Sequence, residues 1–186
     1  MPTILSMGRK ILLRTLAEID SQILETIRPA LEKAFACPVE IKAQIEDISF
    51  AYDPTRKQYM APALLGVLLE DKMEAGSKSL GVVDVDLYSP GLNLVFGQAD
   101  TEVGVAIVSL YRLRQERYGL PPDEQLFKDR AVKEAVHELG HTYSLSHCPN
   151  PHCVMHFSNS LADTDIKGAT FCSKCQKKLA RAEAVI

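Results

Sequence analysis

The sequence has no excess of positive charge, no long apolar run and no internal repeat or low-complexity tract. Its 21 Lys and Arg residues are outnumbered by 24 Asp and Glu residues, which gives a formal net charge of −3. This balance provides no global positive field for phosphate backbones, so nucleic acid is not an expected partner. A bilayer-spanning helix needs about 18 consecutive apolar residues. No run reaches that length, so we expect no membrane association.

The first residues also lack the uncharged apolar core of a secretory leader. Arg9 and Lys10 interrupt the segment 1–14, and we therefore expect a cytoplasmic protein. The chain has 186 residues, of which 46% are hydrophobic, as is typical of one globular domain with an adequate core. We expect residues 1–186 to fold as a single domain and to act as a monomer.

Apolar periodicity in the first 130 residues predicts strands that alternate with helices. Strands are expected at 10–17, 38–45, 80–87, 93–99 and 103–111, the last two as a hairpin or as an edge strand beside a central one. A first helix follows Asp20 and is kinked or divided at Pro29. A second occupies 60–75 and ends at Gly76, and a third opens at 121–124. The alternation predicts an α/β (α+β) fold with a mixed sheet.

Cysteine and histidine are concentrated near the end of the chain. Four of the five cysteines and all five histidines lie within residues 137–175. In a reducing compartment lasting disulfides are rare, so clustered thiols indicate metal ligands. The remaining cysteine, Cys37, is expected to be a core thiol.

Residues 137–141 form the motif HExxH on the third predicted helix. Histidines four residues apart share one helical face, so His137 and His141 can bind one metal ion, while Glu138 is rotated about 100° from His137. Zinc lowers the pKa of a bound water, and a neighbouring carboxylate can take the proton before attack on a carbonyl. The motif therefore predicts zinc-dependent hydrolysis with Glu138 as general base.

His147 extends the motif to HExxHxxxxxH, the spacing of the metzincins. On a continuous helix His147 would lie about 15 Å along the axis from His137, too far to share an ion. The helix must therefore break after His141. Metzincins usually turn on a glycine at the position of Ser144. Either Ser144 adopts the left-handed conformation, or the turn falls a residue or two away.

Three further residues lie close to the third histidine in sequence. Met155 occupies the place of the metzincin Met-turn, although methionine is also a common core residue. His152 and His156 are near enough to replace His147 as a metal ligand. We expect these two histidines instead at the surface or in support of the ligands.

The clustered cysteines form two pairs, C-x4-C at Cys148 and Cys153 and C-x2-C at Cys172 and Cys175. Two short chelate loops that close on one tetrahedral ion are typical of a structural zinc site. Buried free thiols or a disulfide are the alternative. Such a site would connect the C-terminal segment to the active-site loop. Because it would fix Cys148, it would also hold His147 in place. We expect two Zn²⁺ ions per chain, one catalytic and one structural.

Together these residues resemble the archaemetzincins, a family of small zinc metallopeptidase-like proteins. The resemblance rests on HELGHTYSLSHC, on CVM at 153–155 and on FCSKC at 171–175, and it extends back through VVDVDLYSPGLNLVFGQAD and SLYRLRQERYGLPPDE. It implies a compact metzincin-like zincin fold, Glu138 as general base and a peptide substrate bound along an edge strand, for which we expect NLVFGQA at 93–99. It also implies two zinc sites, formed by His137, His141 and His147 and by Cys148, Cys153, Cys172 and Cys175.

The leading hypothesis is a zinc metallopeptidase that hydrolyses peptides with water as the nucleophile. One alternative is a catalytically silent zinc-containing protein that binds peptides, because no tyrosine follows Met155 within residues 156–159 to stabilise an oxyanion. A second is a zinc-ribbon module that presents a basic stretch to nucleic acid, although a solvated helix face explains this stretch better. The basic stretch consists of Lys174, Lys177, Lys178 and Arg181.

Overall fold

The computed structural model describes residues 9–70 and 73–185, which form a five-stranded sheet, a separate three-stranded sheet and five α-helices. Residues 1–8, in the segment examined for a leader, and residues 71–72, in the predicted second helix, lie outside the described part. The strands are β1 (Ile11–Leu16), β2 (Val39–Ile41), β3 (Tyr52–Asp53), β4 (Gln58–Met60), β5 (Lys78–Val83), β6 (Leu87–Tyr88), β7 (Gly97–Asp100) and β8 (Val105–Ser109). The helices are α1 (Gln22–Phe35), α2 (Ala61–Leu68), α3 (Glu124–His141), α4 (Leu161–Ile166) and α5 (Ser173–Val185).

The large sheet has the strand order β2-β1-β5-β8-β7. Its first four strands are parallel, and β7 runs antiparallel to β8, with Gly97 opposite Val108. The expected edge strand beside a central strand is therefore confirmed, although β7 begins at Gly97 rather than at residue 93. The small sheet has the order β3-β4-β6.

The two faces of the large sheet carry separate apolar cores. Successive side chains of a strand point to opposite faces. In β8, Ala106 and Val108 accordingly pack in the core that contains α1 and α3, whereas Val105 and Ile107 pack with α2. The helix that bears the histidine motif is thus seated on one face of the sheet, close to edge strand β7.

Two predicted elements end earlier than the sequence pattern indicates. The second helix stops at Leu68 and not at Gly76, because the exposed Leu69 and Glu70 provide no further side chain for the core. Gly76 has a left-handed φ of 79° in the turn before β5. The strand predicted at 80–87 divides into β5 and β6, which belong to different sheets.

The division between β5 and β6 coincides with two ion pairs. The Asp86 carboxylate accepts two hydrogen bonds of 2.6 Å from Arg112, and Asp84 accepts one of 3.1 Å from Arg114. These contacts bind the chain after β5 to the segment after β8. The two aspartates thus mark the place where the predicted strand divides, and each pairs with an arginine.

Helices α1 and α3 begin as the sequence predicts. Asp20 accepts a hydrogen bond from the N–H of Gln22 at 2.9 Å, and Asp123 accepts one from the N–H of Leu126 at 2.9 Å. Of the two outcomes expected at Pro29, a kink or a division, the division does not occur, because α1 runs unbroken through this residue. Pro29 lies on the exposed side of α1, where water can satisfy the carbonyl that lacks a partner. Within the described residues, no helix has both the length and the apolar character needed to cross a membrane.

Candidate active site

Helix α3 ends directly after its second histidine in a Schellman motif. The N–H of Ser144 donates to the carbonyl of His141 at 2.9 Å, and the N–H of Leu145 donates to that of Gly140 at 3.3 Å. Ser144 has a φ of 61°, so the serine itself takes the left-handed conformation that usually favours glycine. The break expected after His141 is confirmed, and the turn does not move to another residue.

This turn brings the third histidine back to the other two. Nitrogen atoms of His137, His141 and His147 all lie within 4.8 Å of one another. The Nε2 atoms of His137 and His141 are 3.1 Å apart. Since His137 is buried, His141 half-buried and His147 exposed, the group is open on one side.

Hydrogen bonds at the far nitrogens define the tautomers of the first two histidines. His137 Nδ1 lies 2.8 Å from the carbonyl oxygen of Val154, and His141 Nδ1 lies 2.7 Å from that of Leu145. A carbonyl oxygen only accepts, so each Nδ1 carries the proton and each Nε2 presents a lone pair. Two lone pairs at this separation repel each other unless a cation lies between them. In a tetrahedral zinc site with Zn–N bonds near 2.0 Å, the nitrogens are about 3.3 Å apart. The residues present therefore fit zinc.

Electrostatics keep these imidazoles neutral. Burial lowers the pKa of His137, His141 and His147, and the positive charge of Lys167 contributes to each shift. Neutral imidazole is the form that binds metal ions. Burial also raises the pKa of Glu138 to about 8, with a smaller contribution from the negative charge of Glu134. The Glu138 carboxylate is therefore a stronger proton acceptor than an exposed glutamate.

A cleft of about 410 Å³ opens over the histidines. Residues 92–99, which lead into β7, form one wall, and residues 157–159 form the other. Hydrogen bonds from two side chains to backbone carbonyls hold the first wall to the small sheet. The guanidinium of Arg56 donates to the carbonyls of Leu92 and Asn93 at 3.2 and 3.1 Å, and the Gln58 amide donates to that of Asn93 at 3.0 Å.

A buried ion pair supports the second wall. Lys167 Nζ lies 2.8 Å from Glu134 Oε1, and the two side chains are 0% and 2% exposed. The same Glu134 oxygen accepts hydrogen bonds from Thr164 at 3.1 Å and from Ser158 at 3.4 Å. Lys167 also donates to the carbonyl of His156 at 3.4 Å. The pair thus fixes the segment that follows the histidine turn against α3.

The four clustered cysteines form a second group of converging ligands. Their sulfur atoms lie within 4.8 Å of one another, and Sγ of Cys148 is 3.8 Å from Sγ of Cys172. A tetrahedral zinc with Zn–S bonds near 2.3 Å requires sulfur atoms about 3.8 Å apart. All four thiols are free, so the alternative of a disulfide is wrong.

The pKa shifts of the cysteine thiols are also compatible with a bound metal cation. A backbone hydrogen bond from Cys175 lowers the pKa of Cys172 to about 6, so this group readily forms the thiolate that binds metals. Burial raises the pKa of Cys153 and of Cys175. These two thiols need a nearby cation to ionise, and a coordinated metal supplies one.

Comparison with known proteins identifies the family of the chain. The sequence pattern of peptidase family M54 matches residues 9–181. The chain belongs to this family, the archaemetzincins. The archaemetzincin of Pyrococcus abyssi is 45% identical over 175 residues, which are 91% of this chain and 93% of that protein.

Two solved structures share the fold of this archaemetzincin family member. The archaemetzincin from Methanopyrus kandleri has a TM-score of 0.82 at 37% identity and covers 96% of this chain and 98% of its own. A zinc-dependent peptidase from Methanocorpusculum labreanum has a TM-score of 0.82 at 32% identity and covers 91% and 99%. The chain is a zinc metallopeptidase with a mixed α/β, metzincin-like fold, and its histidine and cysteine groups can hold two zinc ions.

Met155 links the two groups of this archaemetzincin. Its carbonyl accepts a hydrogen bond from the N–H of Cys148 at 2.8 Å. Its buried side chain packs beneath α3, where a methyl group on Gly140 would lie 2.5 Å from the methionine sulfur. His152 is exposed, and His156 Nδ1 lies 2.9 Å from the Cys148 carbonyl oxygen, so neither joins the histidine group.

Some features of this archaemetzincin site were not predicted from sequence. The Glu134–Lys167 ion pair was not predicted. The one feature of the sequence that could have indicated it is the position of Glu134, one helical turn before Glu138. No feature of the sequence indicated the hydrogen bonds of Arg56 to the cleft wall. By contrast, Cys37 is buried as expected, and the basic stretch lies on the exposed face of α5.

Proposed function

We propose that His137, His141 and His147 bind the catalytic zinc and that Glu138 is the general base of peptide-bond hydrolysis. The observation that carries this proposal is the pair of Nε2 lone pairs held 3.1 Å apart beside the buried carboxyl group of Glu138. When bound there, zinc supplies a Lewis acid and lowers the pKa of a water molecule. Glu138 takes the proton of the attacking water and passes it to the leaving amine.

The edge of β7 is the site at which a peptide backbone binds. The Phe96 carbonyl accepts a hydrogen bond from the N–H of Ser109 at 2.8 Å, so Phe96 turns its peptide groups toward β8. In an antiparallel ladder this orientation alternates, and Gly97 therefore points its N–H and C=O toward the open edge. An extended peptide pairs with these groups and crosses the cleft above the histidines.

The second zinc is structural and lies on Cys148, Cys153, Cys172 and Cys175. It joins the start of α5 to the loop that carries His147. Since Cys148 follows His147 directly, the thiolate site also fixes the third histidine.

We infer that residues 1–186 form one domain that acts as a cytoplasmic monomer without nucleic-acid or membrane partners. The shared use of β1, β5 and β8 by both apolar cores supports a single domain. The net charge of −3 argues against phosphate-backbone binding.

Replacement of the base tests the function directly. Glu138→Gln keeps the shape of the side chain but cannot accept the proton, so kcat should fall about 10²–10⁴-fold on a quenched-fluorescence peptide that the wild type cleaves. Zinc content should stay unchanged. Glu124→Gln, at the exposed start of the same helix, is the matched control and should retain the wild-type rate.

Full activity of Glu138→Gln would contradict the assigned role. A wild type that holds two zinc ions and cleaves no peptide of a mixed library would favour a protein that only binds peptides.

A further inference from the structure

Gly97, the first residue of β7, lies directly against the side chain of Glu138. A methyl group on Gly97 would lie 2.5 Å from Cγ and 2.7 Å from Cδ of Glu138. Non-bonded carbon atoms are normally about 3.5–4.0 Å apart. No larger residue fits at position 97 unless Glu138 or the strand moves.

The backbone conformation does not explain a glycine at this position. Gly97 is not among the residues with positive φ, and its regular pairing with Val108 is open to any residue. Glycine weakens a strand, where β-branched and aromatic residues are favoured. The close approaches of Glu138 and of the Ile107 carbonyl oxygen, which would lie 2.5 Å from the same methyl group, are thus the features that require glycine.

Packing is also what orients the carboxyl group of Glu138. Among residues 9–70 and 73–185, no group forms a hydrogen bond with this carboxylate. Its Cγ and Cδ atoms lie against the backbone of β7 at Gly97. The position of the strand therefore sets the position of the base.

We propose that Gly97 is a positioning residue for hydrolysis: because it has no side chain, the Glu138 carboxyl group lies against the same strand whose free backbone groups bind the peptide. This proposal rests on the proposed role of Glu138. Gly97 contacts the Glu138 side chain and also pairs with the peptide backbone. It therefore sets the distance from the Glu138 carboxylate to the bound peptide bond.

Gly97→Ala tests this role in the zinc-loaded full chain. Displacement of Glu138 should lower kcat about 100-fold on the same quenched-fluorescence peptide, whereas KM changes less than about threefold and zinc content is retained. Gly66→Ala in α2 is the matched control, because no atom lies within 4 Å of the added methyl group. It should keep the wild-type kcat. Wild-type kcat for Gly97→Ala would overturn the proposal.

A thermal double-mutant cycle separates this role from general damage to the strand. The added methyl group would also lie 2.5 Å from the Ile107 carbonyl oxygen. Because the contact with Ile107 remains in both backgrounds, Gly97→Ala should lower Tm in each, but by roughly 5 °C more in the parent than when Glu138→Ala has removed the crowded carbons. Equal decreases would assign the strain to Ile107 and overturn the proposal. Loss of activity in Glu138→Gln without thermal coupling would reject only the role of Gly97, whereas full activity of Glu138→Gln would reject the proposed function.

Discussion

The histidine group and the cysteine group adjoin each other in the chain but differ in their access to solvent. The histidines range from buried to exposed and line a cleft of about 410 Å³. Three of the four cysteines are buried, and in the part of the chain that the structure describes no cysteine lines that cleft. Catalytic zinc keeps an open coordination position, whereas structural zinc is closed by four protein ligands. The difference in exposure thus matches the difference in proposed roles.

The two groups are joined by contacts through which the cysteine group would support the histidine group. His147 is the exposed ligand, and the next residue, Cys148, is buried. The Met155 carbonyl binds the Cys148 N–H, while the methionine side chain packs under the helix of the other two histidines. The proposed zinc site on the cysteines would therefore hold the third histidine in place.

Loss of one ligand from each group should have unequal effects on stability. Cys172→Ala should lower the free energy of unfolding by more than about 4 kcal/mol, because a structural zinc contributes directly to folding. His147→Ala should lower it by about 2 kcal/mol or less, because its side chain is exposed and two histidines remain. Urea unfolding in zinc-containing buffer measures both. Equal decreases in the free energy of unfolding would contradict the assignment of one structural and one catalytic zinc site.

Substitutions in the buried ion pair test whether contacts outside the cysteine group also stabilise the histidine cleft. Lys167→Met leaves the Glu134 carboxylate unpaired and should cost about 3–5 kcal/mol in unfolding free energy. Adding Glu134→Gln should recover most of this loss. Lys174→Met, on the exposed face of α5, is the control and should change stability by less than about 0.5 kcal/mol. If Lys167→Met changed stability no more than this control, the buried pair would not support the second wall of the cleft.

Crowding at Met155 should affect the connection between the groups. Gly140→Ala places a methyl group against the methionine sulfur and should cost about 1–3 kcal/mol, as overpacking does. The cost should be smaller in a Met155→Ala background, which chemical denaturation can measure as a double-mutant cycle. An undiminished cost would show that Met155 does not support α3.

The smallest expected change is a gain in stability at the turn between the second and third histidines. Ser144→Gly removes the cost of a left-handed serine, about 1 kcal/mol, without touching a ligand. Tm should rise by roughly 2–4 °C with unchanged zinc content. A decrease in Tm would mean that the serine side chain stabilises this turn.

Much of the site could be predicted because its signals are local in sequence. The spacing of His137, His141 and His147 requires a helix and a break, and the two cysteine pairs are short chelate loops. The prolines and Asp123 placed the start of α3 for similar reasons.

Other features depend on contacts between distant segments. Glu134 and Lys167 meet only because the chain folds back along α3, and Arg56 reaches the cleft wall from the turn between β3 and β4. The end of α2 was predicted too late because the apolar pattern continues beyond Leu68, whereas Leu69 and Glu70 are exposed. The close contact at Gly97 was indicated in the sequence only weakly, by an isolated glycine within a predicted strand.

Stepwise removal of zinc from the purified, folded protein tests the central claim most directly. Elemental analysis should find two zinc ions per chain, and a mild chelator should remove one of them with loss of peptidase activity but without a change in circular dichroism. The second ion should leave only when the thiols are modified or the protein unfolds. A single zinc per chain with all four clustered cysteines freely alkylated, or release of both ions in one unfolding step, would contradict the account.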